Sequence, residues 1–137
     1  MNRIPSITDA ELEIVRVLWL NPGCYSSEVV QRMKDRMGWS SNTTRTLLSR
    51  LVQKEAAGVK LEQSSRRMQL FYPRFSEQEY QRSETTSFME KMYGGSIMPM
   101  LANFLQDKML NTQEIEDLKT LFDNNGRIEE LEKRESE

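Results

Sequence analysis

The sequence predicts a mainly α protein: a winged helix-turn-helix domain of three helices and a β-hairpin, followed by a helical dimerisation domain. Three observations carry this. Apolar residues recur at helical spacing in three blocks between Thr8 and Val52, broken at Asn21-Pro22-Gly23 and at Gly38. From Val59 to Tyr72 the period drops to two around a polar turn. Between Ser76 and Phe122 the helical period returns in three further amphipathic stretches. The expected divisions are residues 1–74, 75–126, and a charge-dense, frayed tail over 127–137.

In the first helix Thr8 and Glu11 have capping-box spacing, so that hydroxyl and carboxylate each satisfy an amide left free at a helix start. Leu12, Val15, Leu18 and Trp19 follow on one face. The second begins near Ser26 or Ser27 and points Val29, Val30, Met33 and Met37 inward. After Gly38 a third runs from Trp39 to Leu51 with Leu47, Leu48, Leu51 and Val52 on one side. Its other side carries Asn42, Thr43, Thr46, Ser49, Arg50 and Gln53 and no carboxylate. A solvated face normally mixes in Glu and Asp. Amide, hydroxyl and guanidinium groups are instead those that reach base edges and phosphates from a helix in the major groove.

In the hairpin, Val59 and Leu61 alternate with Lys60 and Glu62, and Met68, Leu70 and Tyr72 with Gln69 and Phe71, up to Pro73. A hairpin directly after a helix-turn-helix is a wing, and Arg66 and Arg67 at its turn are placed to meet the phosphate backbone or the minor groove. Beyond it, Ser76 and Glu79 form a second capping-box match, Gly94-Gly95 breaks the helix, Ser96 caps the next, and Asn111 with Glu114 caps the last. A stop is expected at Asp123-Asn124-Asn125-Gly126. Three such helices enclose little core by themselves and leave a large apolar surface in a monomer. A symmetric dimer, interlocked through Phe88, Met92, Met100, Leu101, Phe104, Leu105, Leu118 and Phe122, resolves this and presents two recognition helices to a palindromic site. Packing these helices back on the first domain is the alternative.

Charge divides along the same line. The net charge is −2, yet residues 1–74 hold 12 basic against 7 acidic side chains and residues 75–137 hold 7 against 14. The basic excess coincides with the helix-turn-helix, as a polyanion partner requires. The chain has no histidine and one cysteine, Cys24, which removes the usual zinc ligands, any intrachain disulfide and His-based acid–base catalysis. There is no Gly-rich phosphate loop and no nucleophile with an evident base, so an enzyme is not expected. No metal or cofactor is expected either: one thiolate builds no closed thiolate site, and the nine methionines are spaced for packing. No apolar run is long enough to span a bilayer and no signal-peptide pattern opens the chain, so a cytoplasmic protein without membrane association is expected.

Four segments in order resemble the penicillinase-repressor family: Ile7 to Trp19; Trp39-Ser40, Thr43, Thr46-Leu47-Leu48 and Arg50-Leu51; Arg67 with Phe71-Tyr72-Pro73; and Leu101 to Leu105. The likeness runs from about Ile7 to Phe122. It implies a winged-helix domain, a helical dimerisation domain, and a cytoplasmic bacterial repressor that binds a dyad operator with TACA/TGTA-like half-sites and blocks transcription. By position, Asn42, Thr43 and Thr46 would face bases or nearby phosphates, Arg50 would support the helix or a backbone contact, and Arg67 would be the wing arginine. With Ser41, Arg45 and Arg66, these form the candidate DNA-binding set.

Two departures from the family matter. Members often carry Lys at position 42 and Pro at 41, where this chain has Asn42 and Ser41; Asn gives up a phosphate-type charge for a bidentate group suited to adenine. After the third helix the family has Lys-Lys-Gly, whereas this chain reads Gln53-Lys54-Glu55-Ala56-Ala57-Gly58. That displacement predicts a recognition helix one turn longer, spanning 41–57, with Gly58 as its left-handed cap.

The family has two release mechanisms. Metal-sensing members use paired C-terminal cysteines, which are lacking here. Antibiotic-responsive members are cleaved in the dimerisation domain at an Asn–Phe bond through a sensor-protease pathway, and Asn103-Phe104 stands at the matching place. The alternatives are a metal- or ligand-responsive repressor of the same fold, or a winged-helix module for protein–protein contacts.

Overall fold

The computed structural model describes residues 4–62 and 68–136. In chain order its elements are α1 (Asp9–Leu20), β1 (Cys24–Tyr25), α2 (Ser26–Met37), α3 (Ser41–Gln53), β2 (Ala57–Leu61), β3 (Gln69–Pro73), α4 (Glu77–Tyr93), α5 (Ile97–Gln106) and α6 (Thr112–Ser136). They form two compact units, residues 1–86 and 87–137.

The first unit is a winged helix. Its α1 starts with the reciprocal box: Glu11 N donates to Thr8 Oγ1 at 3.1 Å and Thr8 N to Glu11 Oε1 at 2.8 Å. Ile14, Val15, Val17 and Leu18 of α1, Val29 and Met33 of α2, and Leu48 and Leu51 of α3 meet in one core closed by Ala56, Ala57, Phe71 and Phe75. Gly38 ends α2 in the left-handed conformation at φ 69°, its N–H on Lys34 O. Met37, expected inside, is 45 % exposed, because it lies in the last turn of α2 beyond the core.

The wing is an antiparallel sheet ordered β1-β3-β2. The expected hairpin pairs Val59 with Phe71 and Lys60 with Leu70. To it the fold adds β1, which periodicity had no means of finding: two residues, Cys24 and Tyr25, pair with Phe71 and Leu70. Cys24 is buried there and its Sγ–H donates to Asn21 O at 2.9 Å.

The exit from α3 corrects the sequence reading. The helix stops at Gln53, not Ala57, and Glu55 rather than Gly58 takes the left-handed conformation, at φ 64°. Ala56 N closes back on Leu51 O at 2.9 Å, so the missing glycine is replaced by a strained non-glycine residue. The core decides this: Ala56 and Ala57 are buried, and an extra helical turn would carry both away from it. Gly58 serves the sheet instead. It pairs with Tyr72, whose ring covers it so closely that a Cβ at position 58 would come within 2.2 Å of Tyr72 Cζ.

The sequence reading placed a boundary after residue 74, whereas contacts divide inside α4, because the start of α4 belongs to the first core. Trp19 Nε1 donates to Phe75 O at 2.8 Å, and the Trp19 ring lies 6.2 Å from Phe75 and 5.8 Å from Tyr80. In the second unit Asn111 and Glu114 form the expected box at the start of α6, with bonds of 2.7 and 3.1 Å. Helix α6 then runs through Asp123-Asn124-Asn125-Gly126, where a stop was expected, on to Ser136. A glycine in a helix costs about 1 kcal/mol, and the Glu-, Lys- and Arg-rich stretch that follows favours helix. No helix among the described residues is long and apolar enough to cross a membrane.

Candidate nucleic-acid interface

Helix α3 is built to leave its polar side outward. Ser40 is its N-cap, accepting from Thr43 N at 3.2 Å while its hydroxyl donates to Thr43 Oγ1 at 3.0 Å. Leu48, Leu51 and Thr44 are buried, and Leu47 and Val52 pack at the edge of the core, which fixes the helix's rotation. Ser41, Asn42, Thr43, Arg45, Thr46, Ser49, Arg50 and Gln53 consequently stay exposed.

No acidic residue occupies the first turn of α3, although carboxylates there would be stabilised by the helix dipole. Neither Arg45 nor Arg50 forms an ion pair among the described residues, while Arg36 and Arg16 are both drawn to Glu13, at 3.4 and 3.6 Å. Arg45 and Arg50 of α3, like Arg32 and Lys34 of α2, therefore keep their positive charge uncommitted among the described residues. Thr43 has a dual position: its Oγ1 accepts from Ser40, which leaves the hydroxyl proton available outward. Arg66 and Arg67 lie outside the described residues.

The fold brings together residues that linear reading did not. A cleft of about 150 Å³ is lined by Ser26 at the start of α2, Arg45, Leu48 and Ser49 of α3, and Gln69 and Phe71 of β3. It joins the recognition helix to the wing through hydroxyl, guanidinium and amide groups. Ser26 and Gln69 were read only as a helix start and an alternating strand position. The missing signal was β1, whose pairing with β3 carries the start of α2 to the wing.

The sheet's outer face is also polar. Lys60 Nζ stands 5.2 Å from the centre of the Tyr72 ring. Tyr25 donates its hydroxyl to the Glu62 carboxylate; that hydrogen bond first, then desolvation and the charges of Glu62 and Glu28, holds the phenol proton more tightly than usual. Cys24 is a core thiol: burial first, then the Glu28 charge, pushes its pKa up, against a smaller opposing pull from Arg32. Among the described residues no group of His, Cys, Asp and Glu could hold a metal ion.

In the second unit the residues expected at a dimer interface line α4 to α6, and none of them is buried. Phe88, Met92, Leu105 and Phe122 are 47, 58, 51 and 53 % exposed, and Met100, Leu101, Phe104 and Leu118 are half-buried. Asn103 is exposed on α5, its Nδ2 3.4 Å from Tyr93 Oη, and the Asn103–Phe104 bond lies within that helix.

The profile of the penicillinase repressor family matches residues 7–124. The chain is 32 % identical over 123 residues to the penicillinase repressor of Bacillus licheniformis, covering 90 % of this chain and 94 % of that one. With the methicillin resistance regulatory protein MecI of Staphylococcus aureus it shares 24 % over 121 residues, 88 % of this chain and 96 % of the relative. Among solved structures, the B. licheniformis BlaI monomeric form in complex with the blaP half-operator matches at a TM-score of 0.50 and 34 % identity, over 58 % of this chain and 94 % of that one. The chain is a DNA-binding transcriptional repressor and not an enzyme: it belongs to the penicillinase repressor family.

Proposed function

We propose that the chain represses transcription in the bacterial cytoplasm as a homodimer bound to a dyad operator with TACA/TGTA-like half-sites. Each protomer lays α3 in the major groove. The observation that carries this is the exposed, carboxylate-free face of α3 with Arg45 and Arg50 unpaired among the described residues. Asn42 and Thr46 read bases, Ser41 and Thr43 set the helix start against the backbone, and Arg45 and Arg50 meet phosphates. Arg66 and Arg67 bring the wing to the backbone beside them.

The dimer forms through the second unit, in which none of residues 87–124 is buried. Release follows cleavage at Asn103–Phe104 by a sensor-protease pathway. Because that bond lies inside α5, cleavage requires α5 to open locally. Helix α5 belongs to the second unit, so its opening leaves the first unit folded.

Operator titrations at several salt concentrations test the reading. The slope of log K against log salt falls by about 0.9 per phosphate contact. Arg50→Ala weakens specific and nonspecific DNA alike and flattens the slope, whereas Asn42→Ala and Thr46→Ala erode the preference for the operator by about 1–3 kcal/mol per lost base contact. Operator binding unchanged in all three variants refutes the docking.

A further inference from the structure

The far end of the wing hairpin stands off the core. Strand β1 pairs only with Leu70 and Phe71, so Leu61 and Gln69, and then Glu62 and Met68, pair with each other alone. Leu61 is 61 % exposed and Gln69 is exposed, so this end has no core beneath it. A two-stranded ribbon in water is marginal by itself.

Among the described residues, the side chain of Tyr25 ties this end back. Positions 58 and 60 of β2 with Glu62 just beyond it, 70 and 72 of β3, and 25 of β1 share the outer face, as the register requires. From β1, Tyr25 reaches across β3 to Glu62, whose N–H bonds to Met68 O at 2.9 Å as the last pairing before segment 63–67. Tyr25 is itself fixed: its N–H donates to Glu28 Oε1 at 3.0 Å, and α2 begins at the next residue.

We propose that Tyr25 is a positioning residue for DNA binding: by holding Glu62 it sets the base of the wing relative to α2 and α3. The inference rests on the DNA-docking reading above.

The test is binding of the full-length chain to its operator, with salt slope and thermal midpoint measured together. Tyr25→Phe keeps the ring and removes the hydroxyl. It is expected to weaken binding about three- to tenfold and to flatten the salt slope by about one phosphate contact, with base preference unchanged and the midpoint lowered by no more than the loss of one hydrogen bond. Glu62→Gln and Glu62→Ala remove the same charge, but only Gln keeps an acceptor for Tyr25, so Ala flattens the slope more than Gln.

Wild-type affinity and slope in Tyr25→Phe overturn the proposal, as does weaker binding that follows a lowered midpoint with the slope intact. Should Tyr25→Phe fail to fold, the Glu62 pair decides: Ala and Gln alike is the overturning result. Arg66→Ala/Arg67→Ala separates the two readings. If it leaves affinity and slope intact, the docking itself fails; if it flattens the slope while Tyr25→Phe and Glu62→Ala do not, only the role of Tyr25 fails.

Discussion

Lys54 Nζ lies 2.7 Å from Glu11 Oε1, joining the C-cap of α3 to the first turn of α1. The same ammonium donates to Ser6 O at 3.2 Å, so one side chain ties the recognition helix, α1 and the segment before it. Glu11 is 1 % exposed, and its Oε2 has no hydrogen-bond partner among the described residues. Burial pushes its pKa up, but the Lys54 hydrogen bond, the Thr8 amide and hydroxyl, and the Lys54 charge outweigh it, and the carboxyl sits below its ordinary value.

A carboxyl depressed in the folded state stabilises it above the unfolded pKa and loses that contribution as pH falls through the folded value. Urea midpoints measured from pH 7 down through pH 3 should therefore fall below about pH 4.5, the ordinary value, and Glu11→Gln should flatten that fall. Lys54→Met strands a buried carboxylate. Because Lys54 is 37 % exposed, the loss is about 1–2 kcal/mol rather than the 3–5 of a fully buried pair. An acid profile of Glu11→Gln matching wild type would remove Glu11 as its source.

Gly58→Ala should destabilise the first unit by about 1–3 kcal/mol, since the new methyl meets the Tyr72 ring and not open space. Removing the ring relieves the conflict. Tyr72→Ala in the Gly58→Ala background should cost less than in wild type, a coupling that a double-mutant cycle on denaturant midpoints reads directly. Additive costs would mean the ring swings aside freely.

These two contacts mark how far the sequence could be read. Helices α1 to α3 and the hairpin were legible because a buried face imposes its period on the residues beneath it. The polar face of α3 was legible for the complementary reason: Leu48 and Leu51, once inside, leave Asn42, Thr46 and Arg50 outside. The end of α3 was misread because glycine was taken as a helix cap, a local criterion, while Gly58 answers a cross-strand neighbour and Glu55 bears the left-handed turn. Strand β1 was invisible since two residues carry no period. The cleft that gathers Ser26, Arg45 and Gln69 exists only through that strand.

Thr44→Val is expected to be neutral or stabilising by up to about 1 kcal/mol. Thr44 is fully buried and its Oγ1 has no partner among the described residues, so the substitution removes a desolvated hydroxyl at nearly constant shape. Operator affinity should not change, in contrast to Thr46→Val one turn-face away. A clear loss of stability in Thr44→Val would reveal a hydrogen bond that the hydroxyl makes in solution.

The strongest demand for a second copy comes from α4 to α6. Phe88, Met92, Leu105, Leu121 and Phe122 are each about half exposed or more, and none of residues 87–124 is buried. Apolar area left in water forfeits about 25 cal/mol per Å², so a partner covering these side chains gains several kcal/mol. Leu105→Asp/Phe122→Asp places two charges on that surface, where desolvating them opposes association. Sedimentation should show wild type as a dimer and the variant as a monomer. Full-operator affinity should drop roughly 10²–10⁴-fold, the effective-concentration advantage of linked half-sites. Affinity for an isolated half-site should stay the same, because the first unit keeps its own core. A variant that sediments as a monomer yet binds the full operator as wild type does would uncouple dimerisation from repression.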